Sequence, residues 1–247
     1  MKRLLIPLCV AVSLLAQPGS LLERADEAFR QGDLDSAATL ARQALAREPG
    51  AVHGHMILGV IAARKSQWDT SNMHFETVIR LEPGNPYGYF YLGQARLYQR
   101  QWDKAIQYFT KALDLRYPEP ARLLIEMATA QNEAGRPEQA LSTLGGIEAP
   151  AEDQRLAAQY HAVTAFAHSK MNQPGRAIDA IRRALQSDDS SAPSWDFLIA
   201  ELIKTDQSPQ ALVEAIRAQK KFPDQPDVQF LFALASYYVS EIGRAHV

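Results

Sequence analysis

One spacing dominates this sequence of 247 residues: side chains of the same kind recur 34 positions apart. The matching pairs are Pro49 and Pro83, Gly59 and Gly93, Trp68 and Trp102, Phe75 and Phe109, and Leu81 and Leu115. Agreement at five positions of a single period is not expected by chance. A fixed period of this length indicates a repeat architecture, in which each unit packs mainly against its neighbours along the chain.

Each repeat has the pattern of two helices. Residues 40–45 and 108–113 place apolar side chains at i, i+1, i+4 and i+5, which forms an apolar stripe along a helix. The second helix of a repeat is predicted to end at residues 48–50 or 82–84, which both read Glu-Pro-Gly. Proline ends a helix because it lacks the N–H that would continue the backbone hydrogen bonds. The predicted fold class is therefore all-α.

Small residues recur where the two helices of a repeat should meet. They are Gly59, Gly93, Ala105, Ala140, Ala177 and Ala211. We expect a side chain larger than alanine at these positions to force the helices apart, which costs about 1–3 kcal/mol. The spacing from Ala140 to Ala177 is 37 rather than 34, which predicts three additional residues within the segment 148–153.

The combined pattern resembles the tetratricopeptide repeat family. Leu58-Gly59 and Leu92-Gly93 stand early in two successive repeats, and Ala105 and Phe109 fill the small and aromatic positions of the second helix. The resemblance covers residues 18–240. It implies a right-handed α-solenoid, or superhelix, of antiparallel helix pairs with about six and a half repeats, the last half being the single helix 226–240.

In this family the first helices of the repeats line an inner groove, so the resemblance also implies which residues bind a partner. The groove residues implied are His53, Met56, Arg64, Tyr87, Phe90, Gln94, Tyr98 and Phe166. Val60, Leu97, Lys170, Lys204, Phe230, Tyr237 and Tyr238 occupy further positions of the same kind. Packing within the stack is the alternative role for each of them. The family's carboxylate-gripping groove uses Lys and Asn, which are absent from the matching positions here.

The first sixteen residues have the pattern of a secretory signal peptide. Lys2 and Arg3 precede an apolar run that ends at Ala16, which is too short to span a bilayer as a helix. A buried N-terminal helix and an uncleaved membrane anchor are the alternatives. Cys9, the single cysteine, lies inside this segment, so a cleaved protein would have no disulfide. We expect a protein of the exported bacterial type, located in the periplasm or secreted.

The sequence contains no motif for catalysis. It lacks a glycine-rich phosphate loop, a nucleophile elbow and a zinc-protease motif. His161 and His168 occupy packing positions of the family, and His74 has no acidic or histidine residue at ligand spacing in the sequence. We therefore predict a protein that is not an enzyme, with no cofactor and no metal. The net charge of −2 offers no general attraction to nucleic acid.

Residues 241–247 depart from the pattern of the preceding helix. Their codons can be written as a common sequencing-adapter read, so our hypothesis is that this tail is an artefact and that the natural protein is longer. The apolar residues 231–235 would then lack a covering helix. Self-association through this last helix is a further possibility that the sequence leaves open.

The sequence favours a non-enzymatic scaffold that binds partner proteins or peptides in an aromatic groove, with little dependence on salt. The alternative is that these repeats form the N-terminal part of a larger exported enzyme or membrane-assembly protein. No stable membrane span is expected once the signal is removed. The partner itself is not identified by the sequence.

Overall fold

The computed structural model describes residues 19–245, and for residues 241–245 it describes the backbone only. All regular secondary structure in this part of the chain is helical. The helices are α1 (Leu21–Arg30), α2 (Leu34–Arg47), α3 (Val52–Arg64), α4 (Trp68–Leu81), α5 (Pro86–Tyr98), α6 (Trp102–Asp114), α7 (Pro120–Glu133), α8 (Pro137–Leu144), α9 (Gln154–Lys170), α10 (Pro174–Ser187), α11 (Ala192–Lys204), α12 (Ser208–Lys221) and α13 (Pro226–Ala245). The predicted signal peptide 1–16 lies outside the described residues.

The helices form a row of pairs. Each helix contacts the helix before and the helix after it, and most odd-numbered helices also contact the next odd-numbered helix. Among the described helices, no substantial contact joins two that are more than two apart in the chain. Six pairs followed by the single helix α13 confirm the predicted all-α solenoid of about six and a half repeats. The handedness of the superhelix stays a prediction.

The turn inside each pair has the same backbone conformation in all six repeats. One residue of the turn has a positive φ, and the next residue donates its N–H to the carbonyl oxygen five positions earlier, as in the Schellman motif. The residues with positive φ are Gly32, Ser66, Arg100, Gly135, Asn172 and Asp206. The four that are not glycine each accept a conformation that costs about 1–2 kcal/mol. The same turn therefore connects the two helices of each of the six pairs.

Glycine is required where the paired helices approach most closely. A Cβ atom added to Gly59 would lie 2.6 Å from Cε1 of Phe75, and one added to Gly93 would lie 2.8 Å from Cδ1 of Phe109. Both phenylalanine side chains are buried. Even alanine would therefore displace the aromatic ring at these two positions, because the ring fills the space that a methyl group needs.

The fifth repeat differs from the others both in the length of helix α9 and in the length of the connection before it. Helix α9 begins 34 residues after α7, in register with the repeat, but it has 17 residues whereas α7 has 14. The connection 145–153 between α8 and α9 has nine residues, whereas the other connections between successive pairs have four or five, so the predicted segment 148–153 lies in the longest of them. The segment Gln154–Lys170 contains neither glycine nor proline, so nothing in its sequence ends the helix earlier.

Helix α13 continues to Ala245, five residues beyond the predicted end of the last helix. The segment 241–245 includes Glu, Ile, Arg and Ala, which extend a helix readily, and a single glycine is tolerated within one. In the described part of the chain, no helix has both the length and the apolar character needed to cross a membrane.

Candidate functional site

Two adjoining clefts lie on the surface formed by helices α1, α3, α5 and α7. They have volumes of about 500 and 560 Å³ and are named here cleft 1 and cleft 2. Phe29, Val60 and Tyr91 line both, so the clefts form one continuous groove. Cleft 1 is also lined by Asp26, Val52, His53, Met56, Ile57, Glu82, Asn85 and Tyr87. Cleft 2 is also lined by Ala63, Arg64, Ser66, Trp68, Phe75, Gln94, Ala95, Tyr98 and Arg122.

Helix α5 contributes the aromatic side of the groove. Tyr87, Tyr91, Gln94 and Tyr98 stand at i, i+4, i+7 and i+11, which places them along one face of the helix. Tyr87 is 38% exposed and Tyr98 is 65% exposed, values that are high for residues of this size. A row of accessible aromatic side chains therefore follows the groove.

Two of these tyrosines are held by stacking on rings of the preceding repeat. The ring of Tyr98 lies parallel to that of Trp68, with centroids 5.4 Å apart, and the ring of Tyr91 lies parallel to that of Phe75, also at 5.4 Å. Stacked contacts of this kind contribute about 0.5–1.5 kcal/mol beyond the burial of area. The groove surface is consequently ordered before a partner binds.

Charged groups surround the tyrosines in a defined arrangement. The guanidinium of Arg64 lies over the ring of Phe29, 4.4 Å from its centroid. Gln94 donates from Nε2 to Oε1 of Glu126 on α7 at 2.9 Å. Burial raises the pKa of the Tyr91 phenol, while the charges of Arg122 and Arg64 act in the opposite direction. Tyr91 thus lies within the field of both arginines.

Most of the predicted groove residues of repeats two and three line the groove. His53, Met56 and Tyr87 lie in cleft 1, whereas Arg64, Gln94 and Tyr98 lie in cleft 2. Phe166 lines neither cleft. Its ring lies 6.3 Å from that of Phe197 and 4.9 Å from Nζ of Lys170, farther along the row.

Phe90 was wrongly predicted as a groove residue. Its side chain is fully buried, and its ring is stacked on Tyr117 with centroids 4.3 Å apart. The neighbouring residue Tyr91 takes the groove position instead. Helical periodicity alone would have identified Tyr91, because it shares a face with Tyr87 and Tyr98. Phe29, Trp68 and Arg122 were also missed, and they reach the groove from other helices.

Away from the groove, the structure brings together two histidines that are far apart in the sequence. Nδ1 of His55 lies 3.0 Å from Nδ1 of His74, and Nε2 of His55 lies 3.0 Å from the carbonyl oxygen of Pro49. Since the carbonyl only accepts, Nε2 of His55 is the donor there, and His74 donates between the rings when His55 is neutral. Burial, followed by the charges of His55 and Arg42, lowers the pKa of His74 to about 4.

We expect this pair to make the protein less stable in mild acid. The unfolded chain takes up a proton at His74 near its ordinary pKa of 6.5, whereas the folded chain resists protonation down to about pH 4. Stability is therefore fully present well above pH 6.5 and is lost as the pH falls towards 4, by about 1 kcal/mol at pH 5 once solvent screening of the partly exposed ring is allowed for. Urea unfolding at pH 7.5 and pH 5 measures this difference.

The His74→Gln variant should lose that part of the pH dependence while keeping a donor to His55. His53→Gln is the matched control, because His53 is exposed. An equal pH dependence of the wild type and the His74→Gln variant would contradict the role assigned to the pair of His55 and His74.

No group of three or more His, Cys, Asp or Glu side chains within residues 19–240 is arranged to hold a metal ion. His168 Nδ1 lies 2.9 Å from Oε1 of Gln173, and the His161 ring packs edge-on against Tyr160. Burial, followed by the charge of Arg183, lowers the pKa of His161. Both histidine side chains are half-buried.

Comparison with known families identifies the repeat. Residues 22–86 match one family model described as tetratricopeptide repeat, and residues 86–117 match a second model of the same description. The structure continues the same helix-pair unit beyond the matched residues. This chain therefore contains tetratricopeptide repeats. Among curated proteins, no sequence matches it significantly.

Solved structures share the fold at low sequence identity. A chain of the APC/C hetero-tetramer Cut9–Hcn1 matches with a TM-score of 0.76 and 15% identity over 87% of this chain. The match spans 42% of that protein's chain. PilW, described as a widely conserved type IV pilus biogenesis factor, matches with a TM-score of 0.77 and 17% identity, over 85% of this chain and 96% of PilW. YrrB, described as a tetratricopeptide repeat protein with an unusual peptide-binding site, matches with a TM-score of 0.55 and 15% identity. The match covers 77% of this chain and 96% of YrrB.

Proposed function

We propose that this protein is a non-catalytic scaffold that holds a segment of a partner protein in the groove formed by clefts 1 and 2. The observation that carries the proposal is the row of accessible tyrosines along α5, fixed by stacking and flanked by two open clefts. Members of the tetratricopeptide repeat family are generally scaffolds for protein interactions, and YrrB, which shares the fold, is described as having an unusual peptide-binding site.

Aromatic side chains suit this role because they provide a large contact area and have few rotatable bonds. The shape of the groove favours an extended segment over a small molecule. His53 and Arg64 lie eleven residues apart on α3, at opposite ends of the groove, which corresponds to about 16 Å along the helix. An extended chain of about five residues covers that distance.

The proposal is tested by comparing what the wild type and a groove variant retain from a cell extract. In the variant Tyr87→Ala, Tyr91→Ala, Tyr98→Ala, we expect partner recovery to fall at least about tenfold, as expected when hot-spot aromatic residues are truncated. The control is Phe230→Ala, Tyr237→Ala, which removes exposed aromatic rings on α13. Equal recovery by the wild type and both variants, with unchanged helical circular dichroism, would rule out this groove as the binding site.

We further propose that the protein is exported, in the periplasm or outside the cell, on the basis of the pattern of residues 1–16. We expect the protein isolated from the native source to begin at Gln17. The mass of its N-terminal peptide measures this directly. A peptide that begins at Met1 in an extracellular or periplasmic fraction would contradict cleavage, and a protein confined to the cytoplasm would contradict export.

Assembly of a surface or membrane structure is a second candidate function. It is favoured by the match to PilW, which extends over 96% of that protein and carries the name of a pilus biogenesis factor. The two candidates differ in where the partner resides. A partner recovered only from the membrane fraction supports the assembly function, and a soluble partner supports the general scaffold.

A further inference from the structure

The charged residues of the groove are separated by sign. Cleft 1 is lined by the carboxylates of Asp26 and Glu82 together with His53, and no lysine or arginine is among its lining residues. Cleft 2 is lined by Arg64 and Arg122, and no carboxylate is among its lining residues. The residues shared by the two clefts are apolar or aromatic. An apolar centre is thus flanked by an acidic side and a basic side.

The basic side keeps its charge available to a ligand. Arg64 is exposed, and it takes part in none of the ion pairs within 4.0 Å among the described side chains. Its contact with the ring of Phe29 fixes its position without neutralising it. Within the described side chains, Arg122 forms one ion pair, with Glu119 at 3.5 Å, and both of these side chains are about half exposed.

The acidic side is likewise open to a ligand. Asp26 accepts from the His53 imidazole at 2.6 Å, and both side chains are exposed. Glu82 accepts from Nδ2 of Asn85 at 2.8 Å, which positions its carboxylate at the edge of cleft 1. Neither carboxylate is paired with a lysine or arginine within the described residues. Both therefore retain their attraction for a cationic side chain.

We infer that the groove selects an extended peptide segment that carries one basic and one acidic residue about five positions apart, with apolar residues between them. The basic residue of the peptide lies against Asp26 and Glu82, and its apolar residues lie over the rings of Phe29 and Tyr91. Its acidic residue lies against the two arginines of cleft 2. This inference rests on the proposed function, because it names the chemistry of the segment that the groove holds. The spacing follows from the length of the groove and the rise of an extended chain.

Four blocked octapeptides with the same apolar centre test the inference. Each peptide has two variable positions about five residues apart. The first peptide carries lysine and glutamate there, the second two lysines and the third two glutamates. The fourth carries two glutamines and is the neutral reference. We expect the lysine–glutamate peptide to bind the wild type about tenfold more tightly than the neutral peptide at 50 mM salt, since each exposed charge pair contributes about a three-fold effect. The advantage should largely disappear at 1 M salt, where the Debye length is about 3 Å.

Charge-reversed proteins then test which side binds which charge. The double variant Arg64→Glu, Arg122→Glu should bind the two-lysine peptide most tightly of the four. The double variant Asp26→Lys, Glu82→Lys should bind the two-glutamate peptide most tightly. The ranking is compared within each protein, and circular dichroism verifies that each protein is folded. All four substituted positions are at the surface of the groove rather than in the core.

Three outcomes separate the inference from the proposed function. Exchanged preferences in the two variants support the inference. If the neutral peptide binds as tightly as the lysine–glutamate peptide, or if the preferences do not exchange, the charge assignment is overturned while peptide binding by the groove stands. If none of the four peptides binds the wild type at millimolar concentration, the inference is overturned together with the peptide-binding groove.

Discussion

Replacing Phe109 by alanine should lower the free energy of unfolding by about 3–5 kcal/mol, the range found when a large aromatic side chain is removed from a core. The Phe109 side chain is fully buried between the helices of the third repeat. It fills the space left by Gly93 and lies against Phe90, with ring centroids 5.9 Å apart. Its loss leaves a cavity that the glycine opposite cannot fill.

Urea unfolding followed by circular dichroism measures this effect. The control is Phe230→Ala, because Phe230 is 65% exposed and its removal should change the free energy of unfolding by no more than about 0.5 kcal/mol. Because long repeat arrays can unfold in more than one step, the slope of the transition must be compared as well as its midpoint. Similar losses for the two variants would contradict the tight packing described for the third repeat.

Replacing Gly93 by leucine should destabilise the protein by about 2–3 kcal/mol through overpacking of the same contact. A Cβ atom alone would come within 2.8 Å of two atoms of the Phe109 ring, and the rest of the leucine side chain has no free space. The matched control is Gly84→Leu. Gly84 lies in the turn after α4 with no heavy atom within 4 Å of an added Cβ.

The comparison of the two glycines separates steric conflict from backbone effects. Leucine is the better helix former, so propensity alone would make Gly93→Leu stabilising. A thermal unfolding midpoint that falls for Gly93→Leu and changes little for Gly84→Leu supports the close approach of α5 and α6. Equal midpoints for both variants would show that these helices separate without cost.

The arrangement of the helices could be predicted from the sequence because the information is local and repeated. The same spacing of 34 residues separates Gly59 from Gly93 and Phe75 from Phe109, so each glycine lies against its phenylalanine in the same way. Each repeat therefore provides an independent indication of the same packing. The stack needs no contact between distant parts of the chain, and so little of the fold depends on long-range pairing.

The error at Phe90 arose where one repeat departs from the others. After α6, Arg116 adopts a φ of 59°, and the N–H of Tyr117 donates to the carbonyl oxygen of Ala112. This turn directs the Tyr117 ring into the core, where it covers Phe90. The first two repeats have proline at the position of Tyr117, so the repeat pattern gave no indication of this contact.

Contacts between helices account for the other features that the sequence did not reveal. His55 and His74 belong to different helices, and their rings meet only because α3 and α4 pack side by side. Arg122 reaches the groove from α7, one repeat beyond the tyrosines that it faces. Periodicity predicts which face of a helix is buried, but it does not predict which long polar side chain extends across a neighbouring helix.

The proposal that the groove of clefts 1 and 2 holds the partner is tested most directly by placing a photo-crosslinking amino acid at position 98, in the groove, and separately at position 230, on α13. Both positions are 65% exposed, so accessibility does not distinguish them. Crosslinks to the partner from position 98 but not from position 230 are the predicted result. Crosslinks from position 230 alone would contradict the claim.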